Sequence, residues 1–186
     1  MSTNISRSGF VSRAWQSWQR IPQAVKIAAI AIPLIDQGTK IGRSALDMME
    51  PQIGSLCLIK EKICATTVHL NTLGSMGRDN RPEFLTDLMS TNTFEAAFSL
   101  LVIGGLTFAY HKFSESTFQR FCLAVSIAGL ASNLVDRVIF GGVKDFIVFN
   151  VLEPLINFGY PFNIADTTMI GGLIAFCGAS LVERKS

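Results

Sequence analysis

Long apolar stretches dominate the pattern of hydrophobic and polar positions along the chain. Four of them predict helices that cross a membrane, over about residues 21–42, 94–111, 120–136 and 164–183. The uncharged cores of the last three cover 16, 15 and 16 residues. At about 1.5 Å per residue each core is shorter than a hydrocarbon layer of about 30 Å. Each helix is therefore expected to continue into the charged residues that flank it.

Lysine and arginine residues near the ends of these stretches predict the orientation of the helices. Residues 1–26 carry four basic residues and no acidic residue, and the second connection and the C-terminal tail are also basic at their ends. These segments, with both termini, are expected in the cytoplasm. The opposite ends of the helices and the third connection then gather five carboxylates at one membrane face, namely Asp36, Glu95, Asp136, Asp145 and Asp166.

The polar segments complete the predicted architecture. Within residues 43–92, GSLCLIK and ICATTVHL have the β-branched character of two short strands. The fold class is therefore an all-α membrane protein with four transmembrane helices and a small extracytoplasmic β element. The membrane domain covers residues 23–186 and includes a connection over about 137–163. Residues 1–22 lack the pattern of a cleaved signal peptide and are expected to lie at the cytoplasmic interface through two tryptophans, or to be disordered.

Composition narrows the function classes. Hydrophobic residues make up 49% of the chain and charged residues 16%, which is typical of a small membrane protein. Basic and acidic residues nearly cancel, and no basic and aromatic residues alternate, so a nucleic-acid partner is not expected. Four scattered cysteines and two distant histidines lack zinc-ligand spacing, which predicts no metal and no cofactor. Cys57 and Cys64 either pair in an oxidising compartment or stay free.

Two motifs place polar side chains at the outer helix ends. In IDQGTK, Asp36 and Lys40 are four residues apart and share a helix face, so they can form an ion pair. Taken by itself, this motif is explained by an ion pair with a purely structural role. In NLVDRVIFGGVKDF, an amide, an acid and a guanidinium follow one another at Asn133, Asp136 and Arg137. The two glycines that follow allow the chain to turn before the next acid.

Two further carboxylates suggest hydrolytic chemistry. Asp145 lies between apolar residues, and FNIAD places Asn163 and Asp166 three residues apart at the start of the last helix. Capping of that helix is the simpler interpretation of Asp166. However, ionisable groups near hydrocarbon are expensive and usually functional. Two carboxylates in one partly dry pocket share a proton while one activates water, which is aspartic peptidase chemistry.

The motifs resemble those of bacterial lipoprotein signal peptidase, also called signal peptidase II. The resemblance covers the chain from about residue 25 and rests on three blocks, DQxTK, NxxDRxxxGxVxDF and FNxAD, which match at residues 36–40, 133–146 and 162–166. It implies an aspartic endopeptidase of the bacterial inner membrane that cuts prolipoproteins before the diacylglyceryl-modified cysteine, with its active site at the outer face. We expect a monomer in contact with membrane lipid.

The resemblance also assigns roles to residues. The catalytic pair falls on Asp145 and Asp166. The residues that line the substrate site or support it are Asp36, Lys40, Asn133, Asp136, Arg137, Asn163 and Ala165.

Several positions depart from the family pattern. Its Asn-x-Gly motif has two candidate locations, Asn71 with Gly74 or Asn92, and we prefer Asn71 because Asn92 leaves no polar lead into the second helix. Ser132 stands where the family tends to have glycine, and Lys144 precedes Asp145, although alternation of side-chain directions suggests that Lys144 points away. These departures leave open a non-catalytic relative that binds lipoproteins or signal peptides. A proton-coupled transporter is disfavoured because the acids lie at one face instead of the bilayer midplane.

Overall fold

Four helices and a three-stranded sheet make up the described part of the chain. The computed structural model describes residues 19–49, 56–59, 63–71, 92–149 and 161–183, with the backbone alone for the second and third ranges and for residue 149. In chain order the elements are α1 (Gln23–Met49), β1 (Leu56–Ile59), β2 (Ile63–Asn71), α2 (Asn92–Lys112), α3 (Thr117–Phe140), β3 (Val143–Phe149) and α4 (Ile164–Glu183).

Three of these helices, α2, α3 and α4, are long and apolar enough to cross a membrane. The exposed surface of α2 includes Leu101, which is 72% exposed, and that of α4 includes Ile174, which is 67% exposed. Large apolar side chains on such surfaces are expected to contact hydrocarbon. The mostly helical membrane fold predicted from the sequence is confirmed. In contrast to the prediction of an end near residue 42, α1 continues to Met49, and several charged residues interrupt its apolar pattern.

Helix α3 lies at the centre of the bundle and contacts α1, α2, α4 and β3. It begins with a capping box, in which the Gln119 amide N–H donates to the Ser116 hydroxyl and the Gln119 side chain accepts from the Ser116 N–H. It ends at Gly141, whose φ of 73° is left-handed, a conformation that glycine adopts without a steric penalty. The predicted turn after α3 is therefore confirmed, and it directs the chain into β3.

Helices α3 and α4 approach closely where Gly172 faces α3. A Cβ atom at Gly172 would lie 2.6 Å from the Cys122 carbonyl oxygen, so only glycine fits. Nearby, the Ser126 hydroxyl donates to the Met169 carbonyl oxygen across the helix pair, at 3.0 Å. This contact lets polar groups at the ends of α3 and α4 come within hydrogen-bond distance.

The sheet has the order β1-β2-β3, and both strand pairs are antiparallel. The two strands predicted from GSLCLIK and ICATTVHL are present as β1 and β2. Strand β3 was not predicted. Its apolar pattern is short, and the strand is stabilised by pairing with β2, which lies more than 70 residues earlier in the chain. Cys57 and Cys64 are register partners, but their side chains lie outside the described part, as do residues 1–18 with both tryptophans.

Candidate active site

Strand β3 and the segment before α4 bring the two predicted catalytic carboxylates to one place. Phe162 forms a bridge with Ile147 of β3, with its N–H donating to the Ile147 carbonyl oxygen at 2.8 Å. On the other side, Asp145 is the register partner of His69 in β2. Because Asn163 directly follows Phe162, the bridge places the start of α4 beside Asp145.

Asn163 contacts both carboxylates. Its side-chain nitrogen Nδ2 donates to Asp145 Oδ1 at 2.7 Å, and its backbone N–H donates to Asp166 Oδ2 at 3.1 Å. The Asp166 N–H in turn donates to Asn163 Oδ1 at 2.9 Å. Asn163 is fully buried and Asp145 is 3% exposed. The reciprocal pair is a capping box, so the simpler interpretation of Asp166 as a cap is correct geometrically, and its capping partner Asn163 also contacts Asp145.

Asn133 of α3 connects the carboxylates to a buried lysine. Its Nδ2 donates to Asp166 Oδ1 at 2.7 Å, while its Oδ1 accepts from Lys40 Nζ and Asn163 Nδ2, each at 3.1 Å. Since Oδ1 accepts these two donors, Nδ2 is the atom left to face Asp166. The orientation of the Asn133 amide, and hence its contact with Asp166, is therefore set by Lys40 and Asn163.

The predicted pair of Asp36 and Lys40 is confirmed and belongs to a larger ion cluster. Lys40 Nζ lies 2.6 Å from Asp36 Oδ2 and 2.8 Å from Asp136 Oδ2. Asp36, Lys40 and Asp136 are all fully buried. With Asn133 as third acceptor, the ammonium has three partners for its three N–H donors, which is the condition under which a buried charge is tolerated.

Asp36 also holds the start of α4. Its Oδ1 accepts from the Ala165 backbone N–H at 3.0 Å, and its Oδ2 accepts from the Ser132 hydroxyl at 2.7 Å. Carboxylates are favourable at helix N-termini because N–H groups there lack intrahelical partners. Ser132, which departs from the family pattern, therefore supplies a hydrogen bond to the ion cluster.

A third polar group lies where α2 begins and α3 ends. Arg137 Nη2 lies 2.5 Å from Glu95 Oε2, and Asn92 Nδ2 donates to the Arg137 carbonyl oxygen at 2.8 Å. Glu95 was not predicted as a residue of the site, and Asn71 was preferred over Asn92. The signal that was available is that both residues lie in TNTFEAAFS, three positions apart and thus on one face of the helix that begins there.

The remaining predicted residues have simpler environments. Lys144 Nζ lies 3.9 Å from the centre of the Phe140 ring, in agreement with the expectation that its side chain points away from Asp145. The Lys144 backbone N–H donates to Asp136 Oδ2 at 3.3 Å. Asn71 ends β2 as the register partner of Val143, but its side chain and all of Gly74 lie outside the described residues.

This arrangement can hold two carboxylates near each other while controlling their orientation. Asn163 donates to oxygens of both Asp145 and Asp166, and Asn133 donates to Asp166. Among the described residues, the ion pairs of Lys40 Nζ are formed with Asp36 and Asp136, and not with either Asp145 or Asp166. Asp145 and Asp166 therefore contact the same residue, Asn163, the first at its side chain and the second at its backbone.

The family model and the similar proteins all indicate the same family. Residues 28–182 match the family described as Signal peptidase (SPase) II. A protein named lipoprotein signal peptidase from Caldanaerobacter subterraneus is 28% identical over 155 residues, which cover 83% of this chain and 97% of that protein. One of the same name from Staphylococcus carnosus is 29% identical, with 84% and 90% covered. A third, from Anaplasma phagocytophilum, is 34% identical, with 53% and 60% covered.

Solved structures have the same fold. One, described as a bacterial membrane enzyme at 2.3 Å resolution, is 26% identical with a TM-score of 0.64, and the match covers 87% of this chain and 89% of that one. A second, at 1.9 Å resolution, has a TM-score of 0.61 and covers 83% and 90%. Because the family match extends over most of the sequence and the fold agrees, this chain belongs to the signal peptidase II family.

Proposed function

We propose that this protein is an aspartic endopeptidase that removes signal peptides from prolipoproteins, cutting before the diacylglyceryl-modified cysteine. The observation that carries the proposal is that Asn163 hydrogen-bonds both Asp145 and Asp166. Membership of the signal peptidase II family supports the same reaction. In this proposal Asp145 and Asp166 are the catalytic pair.

The proposed reaction needs one carboxyl protonated and the other ionised. The ionised carboxylate takes a proton from a water molecule as the water oxygen attacks the scissile carbonyl carbon, and the protonated carboxyl donates to the carbonyl oxygen. Collapse of the tetrahedral intermediate breaks the C–N bond, and the leaving amine receives a proton from the pair. Asn133 and Asn163 orient the two carboxylates. No metal and no nucleophilic side chain take part in these steps.

We further propose which residues support the substrate and the pocket. Arg137, Asn133 and Asn163 line the substrate site, while the Asp36–Lys40–Asp136 cluster and Ala165 hold α1, α3 and the start of α4 together. Asn71 and Gly74 remain predicted contributors.

The proposed topology adds α1 as a fourth membrane helix. At about 1.5 Å per residue its 27 residues extend about 40 Å, which is enough to span a bilayer. Its charged residues Asp36, Lys40 and Arg43 are buried, whereas its exposed side chains include Ile27 and Leu34. This distribution suits a helix whose charges face protein and whose apolar side chains face lipid.

The proposed placement follows from the charge pattern. We place the enzyme as a monomer in the bacterial inner membrane, with both termini in the cytoplasm and the sheet and the Asp145 site at the outer face. Residues 23–186 form the peptidase domain, residues 43–92 its outer insert, and residues 1–22 a cytoplasmic segment. The substrate then enters from the bilayer with its diacylglyceryl chains in the outer leaflet.

The test is a processing assay with a diacylglyceryl-modified prolipoprotein in detergent micelles. Asp145→Asn and Asp166→Asn are each expected to reduce kcat by at least about a thousandfold, since each removes a group that transfers a proton. The control Asp47→Asn removes a carboxylate paired with Arg43 and is expected to leave cleavage unchanged. Normal processing by either of the first two variants rejects the catalytic assignment. If the wild type binds substrate without forming product, the protein is instead a non-catalytic relative.

A further inference from the structure

Two buried polar atoms at the junction of α2 and α3 have no hydrogen-bond partner among the described residues: Arg137 Nη1 and Asn92 Oδ1. Every other buried side-chain nitrogen or oxygen in the described part of the chain has one. Leaving such an atom unsatisfied costs about 1–3 kcal/mol, so a native structure that keeps two of them requires an explanation. Arg137 itself is 8% exposed, and its unsatisfied nitrogen is therefore largely shielded from water.

The two atoms are complementary in type. Arg137 Nη1 is a hydrogen-bond donor and Asn92 Oδ1 is an acceptor. They belong to one local structure, because Asn92 Nδ2 donates to the Arg137 carbonyl oxygen at 2.8 Å. A residue in extended conformation presents its own N–H donor and C=O acceptor on the same edge of the chain, so one such residue can satisfy both atoms. A phosphate or carboxylate lacks the donor that Asn92 Oδ1 needs.

Glu95 determines the orientation and the net charge of the Arg137 guanidinium group in its ion pair. Its Oε2 lies 2.5 Å from Arg137 Nη2, and the two side chains are 20% and 9% exposed. The guanidinium is planar and rigid, so fixing Nη2 also fixes the direction of Nη1. The ion pair also cancels the charge of Arg137, which favours a neutral ligand such as peptide backbone over an anion.

We propose that Glu95 is a positioning residue, which fixes Arg137 so that Arg137 Nη1 and Asn92 Oδ1 together bind the C=O and N–H groups of one extended substrate residue. This inference rests on the proposed function for the identity of the peptide. It adds Glu95 and Asn92 to that site and assigns them separate tasks: Asn92 accepts from the substrate backbone, and Glu95 acts only through Arg137.

The first experiment measures cleavage of the diacylglyceryl-modified prolipoprotein by Glu95→Gln, with Glu115→Gln as the matched control. Glu115 is exposed just before α3, at the opposite end of that helix from Arg137. Glu95→Gln is expected to raise KM about tenfold with kcat within about twofold, because a charge-assisted contact that orients the binding group is lost. Glu95→Asp, which keeps the carboxylate, is expected to recover part of the loss. An unchanged KM in Glu95→Gln overturns the proposal.

A double-mutant cycle separates positioning from a general structural role. If Glu95 acts through Arg137, adding Glu95→Gln to Arg137→Gln has no further effect on KM, so the two losses are not additive. Additive losses in the double variant reject a positioning role. A loss of activity in Glu95→Gln that is explained by a lower thermal unfolding temperature rejects it as well.

Direct binding of the same substrate distinguishes failure of this inference from failure of the proposed function. Wild type that binds without cleaving rejects the peptidase, while weaker binding by Glu95→Gln still supports the positioning role. Wild type that cleaves, together with Glu95→Gln that binds and cleaves normally, rejects the positioning role and leaves the peptidase standing.

Discussion

Asp166 illustrates how one residue combines a structural and a chemical task. Its Oδ2 accepts the Asn163 N–H and completes the cap of α4, whereas its Oδ1 accepts from Asn133. The cap holds the carboxylate at the first turn of the helix and limits its rotation. The structural interpretation and the proposed catalytic one are therefore compatible, because in the proposed reaction a carboxylate of fixed orientation loses less freedom than a mobile one.

Substitution at Asp166 separates these tasks. Asp166→Asn retains a side-chain oxygen that can accept the Asn163 N–H, whereas Asp166→Ala retains none. We expect both variants to lose cleavage, and Asp166→Ala alone to lose about 1 kcal/mol of stability, the usual cost of a lost cap. Thermal unfolding in detergent measures the difference. Equal stability of the two variants would show that the cap contributes nothing.

At the scale of elements, the approach of α3 and α4 decides whether Asn133 reaches Asp166. The contact between these side chains is 2.7 Å, and it joins residues on two different helices. Gly172 lies against α3, whereas a Cβ atom added to the adjacent Gly171 would meet no atom within 4 Å. The glycine that faces α3 is thus required for close packing, and its neighbour is not.

These adjacent glycines form a matched pair for mutation. Gly172→Ala is expected to lower the free energy of unfolding by about 1–3 kcal/mol, because the new methyl group pushes α4 away from the Cys122 carbonyl. Gly171→Ala is expected to be neutral or slightly stabilising, since alanine favours the helix. Thermal unfolding of both variants provides the measurement, and a larger loss in Gly171→Ala would contradict the assigned packing.

For the whole molecule, the Lys40 cluster is the point where separate elements meet. Lys40 and Asp36 come from α1 and Asp136 from α3. The cluster extends to α4 through the Ala165 N–H and to β3 through the Lys144 N–H. Removal of one member of such a buried cluster leaves an uncompensated charge away from water, which is strongly unfavourable. The cluster therefore couples the assembly of the bundle to the geometry of the candidate site.

Removal of the central cation tests this coupling. Lys40→Met leaves two buried carboxylates without their partner and is expected to cost about 3–5 kcal/mol of stability. Lys26→Met, the same change on the same helix, removes an exposed hydrogen bond to the Gln19 carbonyl and is expected to cost at most about 1 kcal/mol. Denaturation in detergent compares the two, and similar losses would mean that the cluster is not a stabilising centre.

Much of this architecture was predictable, because its signals are local. The helix-length apolar stretches, the pairing of Asp36 with Lys40 and the turn at Gly141 each depend on residues within a few positions of one another. Strand β3 and the partnership of Glu95 with Arg137 were not predicted. Each depends on a partner distant in sequence, and nothing within VKDF or TNTFEAAFS identifies that partner.

The membrane class, the helical character and the set of polar residues from which a site can be built follow from the amino-acid sequence without the fold. They do so because hydrophobic length, charge bias and helix periodicity are properties of contiguous residues. The folded structure was needed to establish that Asn163 contacts both Asp145 and Asp166, that Lys40 is shared by Asp36 and Asp136, and that Arg137 is paired with Glu95. Those contacts arise when distant elements pack, because each buried charge or amide takes the complementary partner that packing brings within hydrogen-bond distance.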